Sequence, residues 1–389
     1  MSDPTQLFRS FWMGGFEGAC HRNRVNKRLD LIAATQHDVL AASDYALVKT
    51  VGIETVRDGV RWPQVDRGGR YEFSSFCPML RAAVAERVQV IWTLCHYGWP
   101  DELDLFSPAW VERFARYCGA TARVVADHTD EVPFYSPVNE ISFLCWAAGD
   151  TGGFIHPHAR GRGNELKRQL VRGAIAAIDA IWSVDPRARI VHVDPVIKVF
   201  PPRDRPDLTV QAQQYEASQF EAWDMIAGRA APELGGDPKY LDVMGLNFYH
   251  SNQWEHRGGR LRWEDEPRDD RWVPLHQLLA MLYRRYQRPI CLGETSHFGS
   301  GRARWVREIG EEVAAAIRAG VPVEGVCLYP IIDRPDWEDA QHFHNSGLFD
   351  LVHEPDGTLH RVLNEEYAGA LRDAEATVAG ALSDALLCE

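Results

Sequence analysis

Two glutamates stand where a strand could deliver them to a common site. Val132-Pro-Phe-Tyr-Ser-Pro-Val138 runs into Asn139-Glu140, and Arg288-Pro-Ile-Cys-Leu292 runs into Gly293-Glu294-Thr295. A pair of carboxylates flanking one bond is what glycoside hydrolysis requires: one protonates the leaving oxygen, the other attacks or activates water. The two must then differ in protonation. The attacking carboxylate has to stay ionised, which a nearby cation and a phenol donor favour. The acid has to keep its proton near neutral pH, which burial and the partner's charge favour. Taken singly, either glutamate reads equally as a solvated loop acid or as an acid at a helix N-terminus, stabilised by the helix dipole.

The elements that would hold such a pair follow from periodicity. Short apolar or β-branched runs recur at 53–57, 88–94, 133–138, 189–193, 243–248, 289–293 and 323–328, with a first strand expected near 11–15. Stretches with helical spacing lie between and after them, at 38–51, 75–86, 108–128, 165–184, 210–226, 274–286, 304–319 and 365–387. Eight strand–helix units in alternation predict an α/β fold, a closed (β/α)₈ TIM barrel. An open doubly wound sheet is the competing arrangement, but no glycine fingerprint follows the first strand. Segments 201–209 and 256–272, rich in Pro, Arg and Asp, are expected as long loops within one domain spanning 1–389. Barrel enzymes place their chemistry at the C-terminal ends of the strands, which is where both glutamates fall.

Composition bounds the function. The 389 residues carry 55 acids against 42 Lys and Arg, a formal charge of −13, which excludes a phosphate-tracking nucleic-acid binder. No window has the roughly 18 apolar residues of a membrane span, and Met1-Ser-Asp-Pro-Thr-Gln6 lacks a secretory pattern. The eight cysteines are scattered without a CxxC pair, which fits buried hydrophobes in a reducing cytoplasm. No cofactor or metal is expected. Trp62, Trp92, Trp99 and Trp146 cluster near the ends of the second to fourth strands, where a platform for a sugar would be useful; each alone is also ordinary core.

Collinear motifs add a family resemblance. The chain resembles a clan A glycoside hydrolase, and within it family 1, the β-glucosidase and phospho-β-glucosidase group. Ser136-Pro-Val-Asn-Glu140 is similar to Thr-Phe-Asn-Glu-Pro, and Leu292-Gly-Glu-Thr295 to Thr-Glu-Asn-Gly. The resemblance implies Glu140 as acid/base, Asn139 at the sugar 2-hydroxyl and Glu294 as nucleophile. Thr55-Val-Arg-Asp-Gly-Val-Arg-Trp-Pro63 resembles Tyr-Arg-Phe-Ser-Ile-Ser-Trp-Pro, implying that Arg57 steadies the nucleophile. Thr93-Leu-Cys-His-Tyr-Gly-Trp-Pro100 resembles Thr-Leu-Tyr-His-Trp-Asp-Leu-Pro, which sets His96 in the −1 subsite. Gly245-Leu-Asn-Phe-Tyr249 resembles Gly-Val-Asn-Tyr-Tyr, aligning Asn247 and the nucleophile's phenol partner, Tyr249. Gly347-Leu-Phe-Asp350 parallels the closing Phe-Gly-Leu-Val-Tyr-Val-Asp. The implied activity is a retaining β-glycosidase acting on a carbohydrate or glycoside.

The departures cluster at sugar recognition. The family's Gln-x-Glu-Gly is Gly15-Phe-Glu-Gly18 here, so the glutamine is missing and Glu17 is the candidate replacement. Ile141 replaces the proline after the acid/base, and Thr295 the asparagine after the nucleophile. Trp-Ser-Leu-Leu-Asp-Asn-Phe-Glu-Trp has become Tyr329-Pro-Ile-Ile-Asp-Arg-Pro-Asp-Trp337, leaving Asp336 and Trp337 as the aligned sugar contacts. Two other readings compete. A metal-dependent hydrolase would use His156-Pro-His158 or His342-Phe-His344, a spacing common in zinc sites. A sugar-binding barrel that had lost turnover would keep the cleft with an altered −1 site. Arg160-Gly-Arg162 and Arg302-Ala-Arg304 could meet an anionic group on a sugar, or simply be exposed and solubilising.

Overall fold

A computed structural model describes residues 7–386. Eight parallel strands close into a barrel: β1 (Trp12–Gly15), β2 (Thr55–Gly59), β3 (Gln89–Cys95), β4 (Phe134–Val138), β5 (Arg189–Pro195), β6 (Val243–Asn247), β7 (Ile290–Thr295) and β8 (Val323–Leu328). They pair in chain order, and the ring closes where Trp12 and Met13 of β1 lie beside Val326 and Cys327 of β8. Helices alternate with them: α1 (His37–Lys49), α2 (Cys77–Glu86), α3 (Pro108–Ala126), α4 (Gly163–Trp182), α5 (Thr209–Ala217), α6 (Leu275–Tyr286), α7 (Gly301–Arg318) and α8 (Glu365–Leu386).

The local physics is that of a sheet covered on both faces. Strands such as Val90-Ile-Trp-Thr-Leu94 are buried along their length and apolar but for Thr93, because one face meets helices and the other meets the barrel interior. The larger core lies between strands and helices, holding Val56, Trp92, Leu246 and Leu292 with Tyr117, Ile178, Leu279 and Val313. A smaller one joins Met13, Ile91, Phe134, Val191, Val243, Cys291 and Cys327, drawn from seven strands, as expected for the layered barrel interior. Phe8 packs on Phe134 with ring centroids 5.5 Å apart.

Differences from the sequence reading are local. The helix expected over 210–226 is broken by a 3₁₀ turn at Ser218–Phe220 and resumes at Glu221–Ile226. A short parallel pair, Lys198–Phe200 with Gln253–Glu255, forms just before the expected loops 201–209 and 256–272. An unanticipated hairpin, Phe349–His353 with Leu359–Leu363, precedes α8. The strand β7 runs two residues further than expected and its register shifts around Leu292 and Glu294, a bulge that re-aims side chains near a barrel rim. Among the described residues no helix is long and apolar enough to cross a membrane. Met1–Gln6 and Cys388, used in the sequence reading, lie outside the described residues.

Candidate active site

The ends of β3, β4, β6, β7 and β8 surround a cleft of about 280 Å³. Glu140, Glu294, His96, Tyr249, Glu17 and Trp337 all line it. Arg57, Asn139 and Asn247 stand behind them and bond to the two glutamates or to their partners.

Around Glu294 every oxygen is used. Arg57, at the middle of β2, donates from Nη1 to Glu294 Oε1 at 2.5 Å, and the Tyr249 phenol donates to Oε2 at 2.7 Å. Arg57 is itself fixed by Nε donation to Thr93 Oγ1 at 3.0 Å and by Nη2 donation to Asn139 Oδ1. Arg57 and Glu294 are both buried, so each would be costly without the other. The charge of Glu294 raises the Arg57 pKa against the opposing effect of burial. Burial, with the charges of Glu294 and Glu140, pushes the Tyr249 phenol well up, keeping it a donor.

Glu140 lives under different forces. It follows β4 in a left-handed conformation, φ +46°, with its N–H donating to Val193 O at 2.9 Å. Its Oε1 accepts from Asn247 Nδ2 at 2.8 Å, and its Oε2 accepts from the Tyr97 phenol. Burial and, after it, the charge of Glu294 raise its pKa from 4.5 to about 8, more than the two hydrogen bonds lower it. This carboxyl therefore holds a proton at neutral pH. Asp194, at the end of β5, is raised to about 7 by burial and accepts from the Ser142 N–H and hydroxyl beneath Glu140.

Asn139 joins the two halves. Its Oδ1 accepts from Arg57, while Nδ2 donates to Tyr97 OH at 2.9 Å and meets His96 Nε2 at 3.1 Å. Burial and the Arg57 charge hold the His96 pKa well below 6.5, so the ring is neutral. Its other nitrogen lies 3.3 Å from Tyr329 OH. Tyr329 fits because residue 15 is glycine: a Cβ there would stand 2.0 Å from the Tyr329 ring.

The recognition residues are arranged unevenly. Glu17 pairs with Arg334 Nε at 3.1 Å, and burial raises its pKa despite that cation. Trp337 lines the cleft and its buried indole N–H has no partner among the described residues. Asp336 does not join them. Its Oδ1 accepts from Glu338 N at 2.7 Å and Asp339 N at 3.1 Å, and its Oδ2 meets His344 Nε2 at 2.8 Å. One carbon shorter than glutamate, it serves its own loop. Tyr97, Arg334 and Tyr329 line the cleft without having been singled out. The signal for Tyr97 was its place beside His96. For Arg334 it was the basic residue inside the altered eighth-strand segment.

The tryptophan platform is not formed. Trp62, Trp92 and Trp99 are buried in the core and Trp146 is 41% exposed, and none of them lines the cleft; Phe143 and Trp337 supply the aromatic wall. The arginine runs are mostly neutralised, Arg162 by Glu165, Arg302 by Asp350 and Arg304 by Glu266. The two His-x-His pairs hold their rings 5.9 and 5.7 Å apart, and neither joins a three-ligand group among the described residues.

A parallel eight-stranded barrel with carboxylates at the ends of β4 and β7 is a (β/α)₈ architecture that carries both at its C-terminal rim. Among solved structures it has the fold of family 1 β-glucosidases. A β-glucosidase from Thermotoga maritima in complex with glucoimidazole superposes with a TM-score of 0.70 at 13% identity, over 87% of this chain and 88% of that one. A hyperthermophilic β-glucosidase mutant gives 0.71 at 15% identity, over 95% and 100%. The family 1 β-glucosidase from Thermotoga maritima gives 0.68 at 13%, over 88% and 87%. No protein-family model and no curated protein matches the sequence. At such identities the likeness establishes the fold.

Proposed function

We propose that the protein is a retaining β-glycoside hydrolase in which Glu294 is the nucleophile and Glu140 the acid/base. The observation that carries this reading is the asymmetry of the pair. One carboxyl is raised to about 8 and faces the cleft with a proton; the other receives Arg57 and Tyr249 on its two oxygens. In the first step a Glu294 oxygen attacks the anomeric carbon, the bond to the leaving oxygen breaks, and Glu140 transfers its proton to that oxygen. The product is a glycosyl ester on Glu294. In the second step Glu140 takes a proton from water, the water oxygen bonds to the anomeric carbon, and Glu294 leaves as carboxylate.

Neutral His96 and Trp337, which line the cleft, meet sugar hydroxyls, and Asn139, buried behind them between Arg57, His96 and Tyr97, holds those side chains in place. The Glu17–Arg334 pair presents a charged wall to the glycone, and the position of the family's glutamine is Gly15 under the Tyr329 ring, so recognition differs from a glucose-type grip. The seven described cysteines are free and all but Cys77 are buried, which supports a reducing compartment. A panel of nitrophenyl glycosides tests the activity. Turnover of at least one β-glycoside, lost in Glu294→Gln, is expected; binding of sugars with no turnover of any member points to the sugar-binding barrel.

A further inference from the structure

A second cluster of ligating groups lies on the wall between the cleft and a neighbouring surface pocket. His250 comes three residues after β6, His297 two residues after β7, and Glu264 from the 256–272 loop. One ligating atom from each lies within 4.8 Å of the other two. His297 Nε2 is 3.4 Å from Glu264 Oε1, and His250 Nε2 is 4.0 Å from the same oxygen. Both histidines are buried. Within this cluster His250 Nδ1, His297 Nε2 and Glu264 Oε2 are all buried without a hydrogen-bond partner among the described residues. Of these, His297 Nε2 faces Glu264 directly, and a buried ring nitrogen left without a partner there is what a bound cation would satisfy.

We propose that His250, His297 and Glu264 form a binding site for a divalent transition-metal ion, zinc in the first instance, on the wall of the cleft. Two imidazoles and one carboxylate suit zinc, cobalt or ferrous iron and not the all-oxygen shells of magnesium or calcium. Ligands at about 2.0–2.2 Å from a tetrahedral ion stand about 3.4 Å from one another. The His297–Glu264 pair already has that separation, while His250 Nε2, 4.0 Å from the same carboxylate oxygen, has to move inward to complete the set. Gly301, at the start of α7, leaves room for the His297 ring: a Cβ there would stand 2.2 Å from Nδ1.

The tautomers of His297 lead to different outcomes. A proton on Nδ1 is donated to Phe298 O at 3.0 Å and frees the Nε2 lone pair, the support that metal-bound histidines receive. The other tautomer accepts from Phe298 N–H at 2.8 Å and points its proton at Glu264; metal binding selects the first. Arg260 Nη2, 3.2 Å from Glu264 Oε1, is the competing cation, and as an exposed side chain it can swing aside. Three protein ligands leave a fourth position for water or a substrate oxygen, since His250 and His297 also line the cleft. The inference stands apart from the two-glutamate chemistry, which uses none of these residues.

The test is metal binding by the chelator-stripped full chain, read with Zn²⁺ by calorimetry and with Co²⁺ by its visible absorption. One ion per chain is expected in the wild type. Glu264→Gln, partly exposed and similar in shape, and His297→Gln should each bind at least about tenfold more weakly, the lower end of losses seen even for outer-shell partners. Zn²⁺ should raise the thermal midpoint of the wild type and leave that of Glu264→Gln unmoved, because only a ligand that binds the native state stabilises it. No binding of either ion by the wild type, or unchanged affinity in either folded variant, would overturn the proposal.

Discussion

Replacing Glu294 by Gln should lower the pKa of a residue it does not touch. Glu140 is raised to about 8 by burial first and by the charge of Glu294 second. At an effective dielectric of about 20 and the separation of about 5 Å found in retaining pairs, two unit charges repel by about 3 kcal/mol. Since 1.36 kcal/mol is a tenfold change in acid dissociation, removing that charge is worth roughly a hundredfold, carrying Glu140 from about 8 to about 6. Burial remains and keeps it above 4.5. Under the proposed mechanism the same fall should accompany glycosylation of Glu294, which also removes its charge, and would turn Glu140 from acid into base between the two steps. The assay is a ¹³C NMR titration of glutamate-labelled protein, with the Glu140 resonance assigned by its disappearance in Glu140→Gln. A Glu140 titration that stays near 8 in Glu294→Gln would refute the reasoning, because burial alone would then set the proton.

Tyr97→Phe removes a donor that favours the charged form of Glu140, so the alkaline limb of kcat/KM should move to higher pH; a limb that stays in place contradicts the role. Arg57→Met leaves Glu294 buried without its cation, and unfolding by urea should show a loss of about 3–5 kcal/mol. The same variant should lose at least about a hundredfold in kcat/KM on nitrophenyl glycosides, as for removal of one preorganised charge partner. Glu140→Gln should gain stability on the wild type as pH rises. Between pH 4.5 and about 8 the native state holds a proton on Glu140 that the unfolded chain has released, so wild-type stability falls across that window. The variant escapes the loss, by up to about 5 kcal/mol, and the difference in thermal midpoint should be larger at pH 9 than at pH 5.

The barrel was legible because its strands are buried on both faces. Runs such as Val88–Leu94 and Val323–Leu328 are mostly apolar, with polar side chains only at Gln89, Thr93 and Glu324, and parallel neighbours separated by helices leave few other closures. Glu140, Glu294, Arg57 and Tyr249 could be placed because each ends or interrupts such a run, or follows one closely, and the structure brings them into one cluster. What escaped the reading depends on backbone direction and on loops. Tyr97 turns toward Glu140 through a left-handed φ of +63° that no pattern announces. Asp336 aligned with a sugar contact, but one carbon fewer and two N–H donors in its own loop keep it out of the cleft. Trp62, Trp92 and Trp99 went to the core because large apolar rings are worth more when buried than when held at a rim, while Trp146 stays exposed outside the cleft. The His250, Glu264 and His297 cluster joins three segments and has no sequence spacing to reveal it.

The central claim, nucleophilic attack by Glu294 with Glu140 as acid/base, is tested most directly by the anomeric configuration of the first product. Proton NMR of a β-glycoside digest, followed before mutarotation equilibrates the sugar, reads it. The β-anomer should form first, since two displacements at the anomeric carbon restore its configuration. An α-anomer appearing first would contradict the account.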